Sequence, residues 1–208
     1  MTYRRSALME ERLANNRDRI LLATRKLVSE GGFRDAQIAA VATTAGVSTG
    51  MIYRYFPSKA ELFVEVLSAA VEQEIEILTE IANRPSPAPT RLGAAVVSFV
   101  RRALAGPNLA YAFIAEPVDP EVDTARIRYR KKFGDVFKAI LVDGMEKGEI
   151  PQQDADASAA CLVGAFTEAL VGPMDPRRTT RATKEQLTES IRTFCLRAVC
   201  GIWKSDDA

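Results

Sequence analysis

Ile38-Ala39-Ala40-Val41-Ala42-Thr43-Thr44-Ala45-Gly46-Val47-Ser48-Thr49-Gly50-Met51-Ile52-Tyr53-Arg54-Tyr55-Phe56 is the stretch that decides the fold. It reads as two short helices folded back across one another. Such a crossing needs a small residue where the helices touch, and Ala42 is there. The turn needs a residue that tolerates positive φ, and Gly46 follows four positions later. Val41, Ala45, Val47, Ile52 and Tyr55 recur where a third helix would be covered. Thr49, Gly50, Met51, Tyr53 and Arg54 are then left facing outward. An ordinary helical corner could share the glycine and the small residue. The agreement of the whole apolar pattern, in the basic part of the chain, favours a helix-turn-helix.

Upstream, Ile20, Ala23, Leu27 and Val28 form one helical stripe, stopped by Gly31-Gly32. The two short helices are expected at about 37–44 and 48–55, the second with Ser48 as N-cap. Pro57 breaks the chain. Ser58-Lys59-Ala60-Glu61 has the form of a capping box opening a long helix to about Asn83. That helix is the one continuous element expected to join the two halves. Arg84-Pro85-Ser86-Pro87-Ala88-Pro89 reads as a linker. Further helices are expected at 91–105 and 107–115. Another runs from Asp119-Pro120 to about Lys147, where Gly148 closes it. The last two span Asp154 to about Val171 and Thr183 to Trp203, with a loop over 172–180 between them. Strand signals are almost absent. The expectation is an all-α chain with a helix-turn-helix domain over 1–57, a connecting helix over 58–83 and a helical domain over 84–208.

Charge divides along the same line. Residues 1–59 hold ten basic and five acidic side chains, whereas 60–208 hold 18 and 22, although the whole chain has a net charge of only +1. A basic head on an acidic body points to a polyanionic partner for the head alone. There is no histidine, which removes the commonest metal ligand and general base. Cys161, Cys195 and Cys200 are odd in number and lack a framework spacing, so they read as reduced, small core or interface hydrophobes. No apolar run approaches the roughly 18 residues of a membrane span. The N-terminus lacks the apolar segment of a signal peptide, and the expected compartment is the cytoplasm.

The N-terminal pattern resembles the TetR family of bacterial regulators. The resemblance is carried by Gly32-Phe33, Ile38, Val41-Ala42, Ala45-Gly46-Val47-Ser48, Gly50, Ile52-Tyr53, Tyr55-Phe56, Ser58-Lys59 and Leu62-Phe63, over roughly residues 15–70. It implies a repressor that binds a pseudo-palindromic DNA operator as a homodimer and is released by a small apolar or amphipathic effector. It assigns Tyr53 to the DNA backbone and turns Thr43 to the groove. Lys59 stands at a helix N-terminus, where dipole and ammonium both favour phosphate. Ser48 and Thr49 can donate to phosphate, Gly50 lets the backbone approach the duplex, and Arg54 can read guanine or bond phosphate. One position departs from the family pattern. Ala36 stands where a capping threonine or serine is usual, with Asp35 able to cap and Gln37 able to replace the phosphate contact. Arg4 and Arg5 form an arm for non-specific affinity.

For the second half the resemblance implies a ligand pocket among helices and two final helices that pair with a second subunit. Phe99, Tyr111, Phe113, Phe137 and Phe166 are candidate pocket walls, although helix-spaced aromatics also build plain cores. Arg102 and Glu116 are candidates for a ligand's polar end. The basic run Arg126–Lys132 reads as a solvated face with Ile127 and Tyr129 turned inward; an anion site, such as one for acyl-CoA phosphates, is the alternative. Ala157, Ala160, Cys161, Gly164, Ala165 and Ala169 make a small-residue face. Ile191, Phe194, Cys195, Ala198 and Val199 make an apolar stripe to meet it. No catalytic constellation, cofactor motif or metal set is present, so an enzyme is not expected. The competing reading is an architectural DNA-binding protein without an effector.

Overall fold

The computed structural model describes residues 7–175 and 183–201, with side chains from residue 15 onward. Among these residues the chain is all-helical, with no strand. α1 (Ala7–Asp35), α2 (Ile38–Ala45) and α3 (Thr49–Tyr55) form the N-terminal unit. α1 loses helical geometry at Gly32 (φ 79°, ψ −175°) before a last short turn. Gly46 adopts φ 64°, ψ 41°, beyond the end of α2. Its N–H donates to the carbonyl of Thr43 at 3.2 Å, and that of Val47 to Ala42 at 3.0 Å. This is the paired closure that a left-handed residue allows at a helix end. Arg19 of α1 donates to the free carbonyl of Ala45 at 2.6 Å, which ties the turn to the supporting helix. Ile20, Val28, Phe33, Val41, Ala42, Ala45, Ile52 and Phe56 are buried together.

Ser58 caps α4 (Lys59–Ala82) by accepting from the Glu61 N–H at 3.1 Å. Leu62, Phe63, Val66, Leu67 and Leu78 form its buried stripe, each contributing about 1.5–3 kcal/mol of transfer energy. At the far end Arg91, itself buried, donates to the carbonyl of Ala82 at 2.7 Å and pairs with Asp143. This fixes the corner between α4 and α5 (Ala88–Ala105). The expected linker is therefore shorter: Ala88 and Pro89 already belong to α5, since a proline in the first turn forgoes no helical hydrogen bond.

α6 (Pro107–Ile114), α7 (Pro120–Glu146), α8 (Ala155–Met174) and α9 (Lys184–Cys200) complete the described helices. α7 packs most extensively on α4 and α8, and α9 packs on α5 and α8. Asp154 caps α8 and Thr183 caps α9, the latter in a reciprocal box with Gln186. α8 runs three residues past Val171 and contains Pro173. It is long and apolar enough by composition to cross a membrane, contrary to the sequence expectation. Its large side chains, Leu162, Val163, Phe166 and Leu170, are buried in the bundle core, and its exposed residues are mostly small. The loop expected over 172–180 is helical as far as Met174, and Arg4, Arg5, Trp203 and residues 176–182 lie outside the described residues.

Two expectations for the helix faces are corrected. Ile127 is 67% exposed, whereas Arg126 is buried beside Tyr129. The inward stripe of α7 is Val122, Arg126, Tyr129, Phe133 and Phe137, at helical spacing, and Ile127 falls off it. In α9 the buried residues are Thr188, Ile191, Cys195 and Val199, which pack into the protein's own core. Phe194 and Ala198 are exposed. Burial pushes the Cys195 thiol up to about 11, so it stays protonated and unreactive at neutral pH.

Candidate functional site

The turn and caps of the N-terminal unit set out one polar surface. Ser48 caps α3 by accepting from the Met51 N–H at 3.2 Å, which leaves its hydroxyl proton free to donate outward. Thr43, Thr49, Gly50, Tyr53 and Arg54 are all exposed, Tyr53 by 50% of its surface. A Cβ at Gly50 would meet nothing closer than the Ser48 Oγ at 4.0 Å. The protein itself therefore does not require glycine there; a surface brought against α3 would. Thr43 returns its hydroxyl to the carbonyl of Ala39 at 3.0 Å.

Gln37 and Lys59 meet beside this surface. Lys59 Nζ donates to Gln37 Oε1 at 3.3 Å and sits 5.0 Å from the Phe63 ring centre. Gln37 Nε2 donates to the carbonyl of Arg34 at 2.6 Å. Gln37, not Ala36 or Asp35, is the N-cap of α2, and its side chain makes no capping bond. Ala36 is buried, and the Asp35 carboxylate pairs with Arg34. Asp35 cannot cap because α1 continues through it, with the extended Gln37 intervening. The first amides of α2 are left without a side-chain partner, beside the Lys59 ammonium.

The second feature is a cavity of about 160 Å³ lined by α4 to α8, with Arg25 of α1 at its edge. Of the expected pocket residues, Phe99, Arg102 and Phe113 line it. Arg102 is engaged with Glu74 at 2.9 Å. Phe137 and Phe166 are fully buried behind it, with the Phe166 ring 4.9 Å from Phe99 and 5.3 Å from Phe137. Arg126, Tyr129, Arg130 and Phe133 line the cavity from α7. The sequence offers the run Arg126–Lys132 as an anion site only as the alternative to a solvated face, and Tyr129 and Phe133 are not among its candidate pocket walls. The helical spacing Val122, Arg126, Tyr129, Phe133 was the available signal.

Tyr111 and Glu116 line a different cleft, against the end of α1. The Glu116 carboxylate accepts the N–H groups of Phe33 at 2.8 Å and Arg34 at 3.1 Å. At Gly32 a Cβ would stand 2.5 Å from Glu116 Oε2, so the glycine serves both the positive φ and this close approach. Asn108 of α6 adds a bond to the carbonyl of Glu30 at 2.9 Å. The N-terminal unit is thus joined to the helical body twice, through continuous α4 and through this dock. α4 is the continuous connection, as expected, and the dock is a second, non-covalent one that the sequence did not indicate.

Comparisons with known proteins agree with this architecture. A family model of bacterial regulatory proteins, tetR family, matches residues 20–66. The transcriptional repressor KstR of Rhodococcus jostii is 37% identical over 108 residues, half of each chain. The fatty acid metabolism regulator protein of Bacillus subtilis is 28% identical over 160 residues, 73% of this chain and 79% of that one. The crystal structure of FadR from Bacillus subtilis in complex with stearoyl-CoA shares the fold with a TM-score of 0.73 at 22% identity, covering 89% of this chain and 99% of that chain. Residues 20–66, which hold the helix-turn-helix, thus match the tetR family of bacterial regulatory proteins, and the chain as a whole shares the fold of a solved regulator.

Proposed function

We propose that the chain is a repressor that binds a pseudo-palindromic operator as a homodimer and leaves it when an amphipathic effector fills the cavity. Residues 1–57 are the DNA-binding domain in this reading, and 84–208 the sensing and dimerising domain, with the working compartment the cytoplasm. The observation that carries it is the pairing of an outward polar surface on α3 with an interior cavity joined to it by both α4 and the Glu116 dock. An architectural DNA binder would have no use for either the cavity or the dock. The effector is a lipid-like molecule with an acyl chain: the walls are mainly apolar, and two of the similar proteins are a fatty acid regulator and a stearoyl-CoA complex.

In this reading α3 enters the major groove, with Thr49, Gly50, Tyr53 and Arg54 toward the duplex. Gln37, Thr43, Ser48 and Lys59 hold its phosphates. Lys59→Ala is then expected to weaken binding to operator and non-operator DNA alike. The slope of log affinity against log salt should fall by about 0.9 for each phosphate that the variant no longer neutralises. Fluorescence anisotropy across a salt series measures this. An unchanged slope would remove Lys59 from the interface.

A further inference from the structure

The cavity wall is unevenly charged. It holds four arginines, Arg25, Arg102, Arg126 and Arg130, against one carboxylate, Glu74. Glu74 is taken by Arg102 at 2.8 Å. Arg130 has no acidic partner among the described residues. It lies one turn from Arg126 and also borders the groove toward Lys131 and Lys138.

Arg126 is only 8% exposed. Its Nη1 pairs with Asp123 at 2.5 Å, and its Nη2 donates to the carbonyl of Glu116 at 2.8 Å and to that of Ala112. Its Nε is buried and has no acceptor among the described residues. Burial pulls its pKa down, opposed by Asp123. A buried donor without an acceptor is costly, and an anion entering beside it recovers that cost. The same arginine also touches the dock, because the residue whose carbonyl it holds, Glu116, binds the Phe33 and Arg34 amides through its carboxylate.

We propose that Arg126 is both the effector's head-group contact and the latch of the interdomain dock. The ligand is an amphiphile with a carboxylate head, its tail among Phe99, Phe133 and Val163 and its head between Arg126 and Arg130. A carboxylate is a stronger acceptor for a guanidinium than a backbone carbonyl. Binding it draws Arg126 from the carbonyl of Glu116 and loosens the hold of Glu116 on the end of α1. This rests on the reading of the cavity as the effector site.

The test compares octanoate with 1-octanol, which share a chain and differ in the head. Calorimetry on the wild-type chain is expected to show octanoate binding about tenfold tighter or more, the worth of a hydrogen bond to a charged group. Arg126→Gln should abolish that preference. Arg130→Gln, at an exposed position, should reduce it and keeps the test decisive if the first variant does not fold. Octanoate, and not 1-octanol, should also speed hydrogen exchange at the Phe33 and Arg34 amides. Equal affinity for the two compounds, a preference that survives both substitutions, or unaltered exchange at the two amides overturns the inference alone. Failure of both compounds to bind the wild-type chain overturns the cavity reading and the inference with it.

Discussion

Phe166→Ala is expected to destabilise the protein by about 3–5 kcal/mol, as large aromatic truncations in well-packed cores do. The ring has no exposed surface and touches Phe99 and Phe137 at centroid distances of 4.9 and 5.3 Å. It projects from α8, while its partners stand on α5 and α7, so its loss leaves three helices facing one void. Phe113→Ala makes the control: this ring is only partly buried and already borders the cavity. Its truncation should cost distinctly less. Urea unfolding monitored by circular dichroism gives both values. A loss for Phe166→Ala no greater than that for Phe113→Ala would show that the cavity, not the aromatic cluster, governs stability here.

Phe194→Glu is expected to leave stability nearly untouched and to abolish operator binding at ordinary concentrations. Phe194 is 61% exposed on α9, a large apolar ring among exposed small residues of α8 and α9. Beside it Ala198 is exposed, and α8 exposes Ala157, Ala160, Cys161, Gly164 and Ala169. Small residues would let a second pair of helices approach closely, and Phe194 would supply the anchor of such an interface. A charge buried at that centre prevents pairing. Each subunit would then hold one half-site, losing the about 10²- to 10⁴-fold gain of bivalent binding. Two recognition helices held about 34–36 Å apart are what a palindrome one turn long demands. Sedimentation velocity should show a monomer for the variant and a dimer for the wild-type chain. A dimeric variant would move the interface away from α8 and α9.

The parts of this protein legible in its sequence are those fixed by neighbours in the chain. Gly46, Ser48, Ser58, Asp154 and Thr183 stand where the structure uses them, because a cap or a left-handed turn depends on a few residues. The two faces of α9 are harder to tell apart. A helix that serves both a core and a partner is apolar on both sides, so Ile191 and Cys195 read like Phe194 and Ala198. In α7 the run of charges hides the period, and Arg126 reads as solvent-facing although it lies on the buried stripe. Glu116 is out of reach for another reason. Its partners, Phe33 and Arg34, lie 83 and 82 residues away, and no local pattern marks a carboxylate that will receive two distant amides.

The central claim is that the cavity and the DNA-binding surface are coupled through α4 and the Glu116 dock. Linkage makes that claim measurable from either side, because a ligand that weakens operator binding must itself be bound more weakly when operator is present. The direct measurement is the affinity of the wild-type protein for octanoate in the absence and presence of saturating operator DNA. Coupling of the usual size predicts a roughly 5- to 150-fold weaker affinity with operator bound. Equal affinities would contradict the account: the cavity would then bind its ligand without any bearing on DNA.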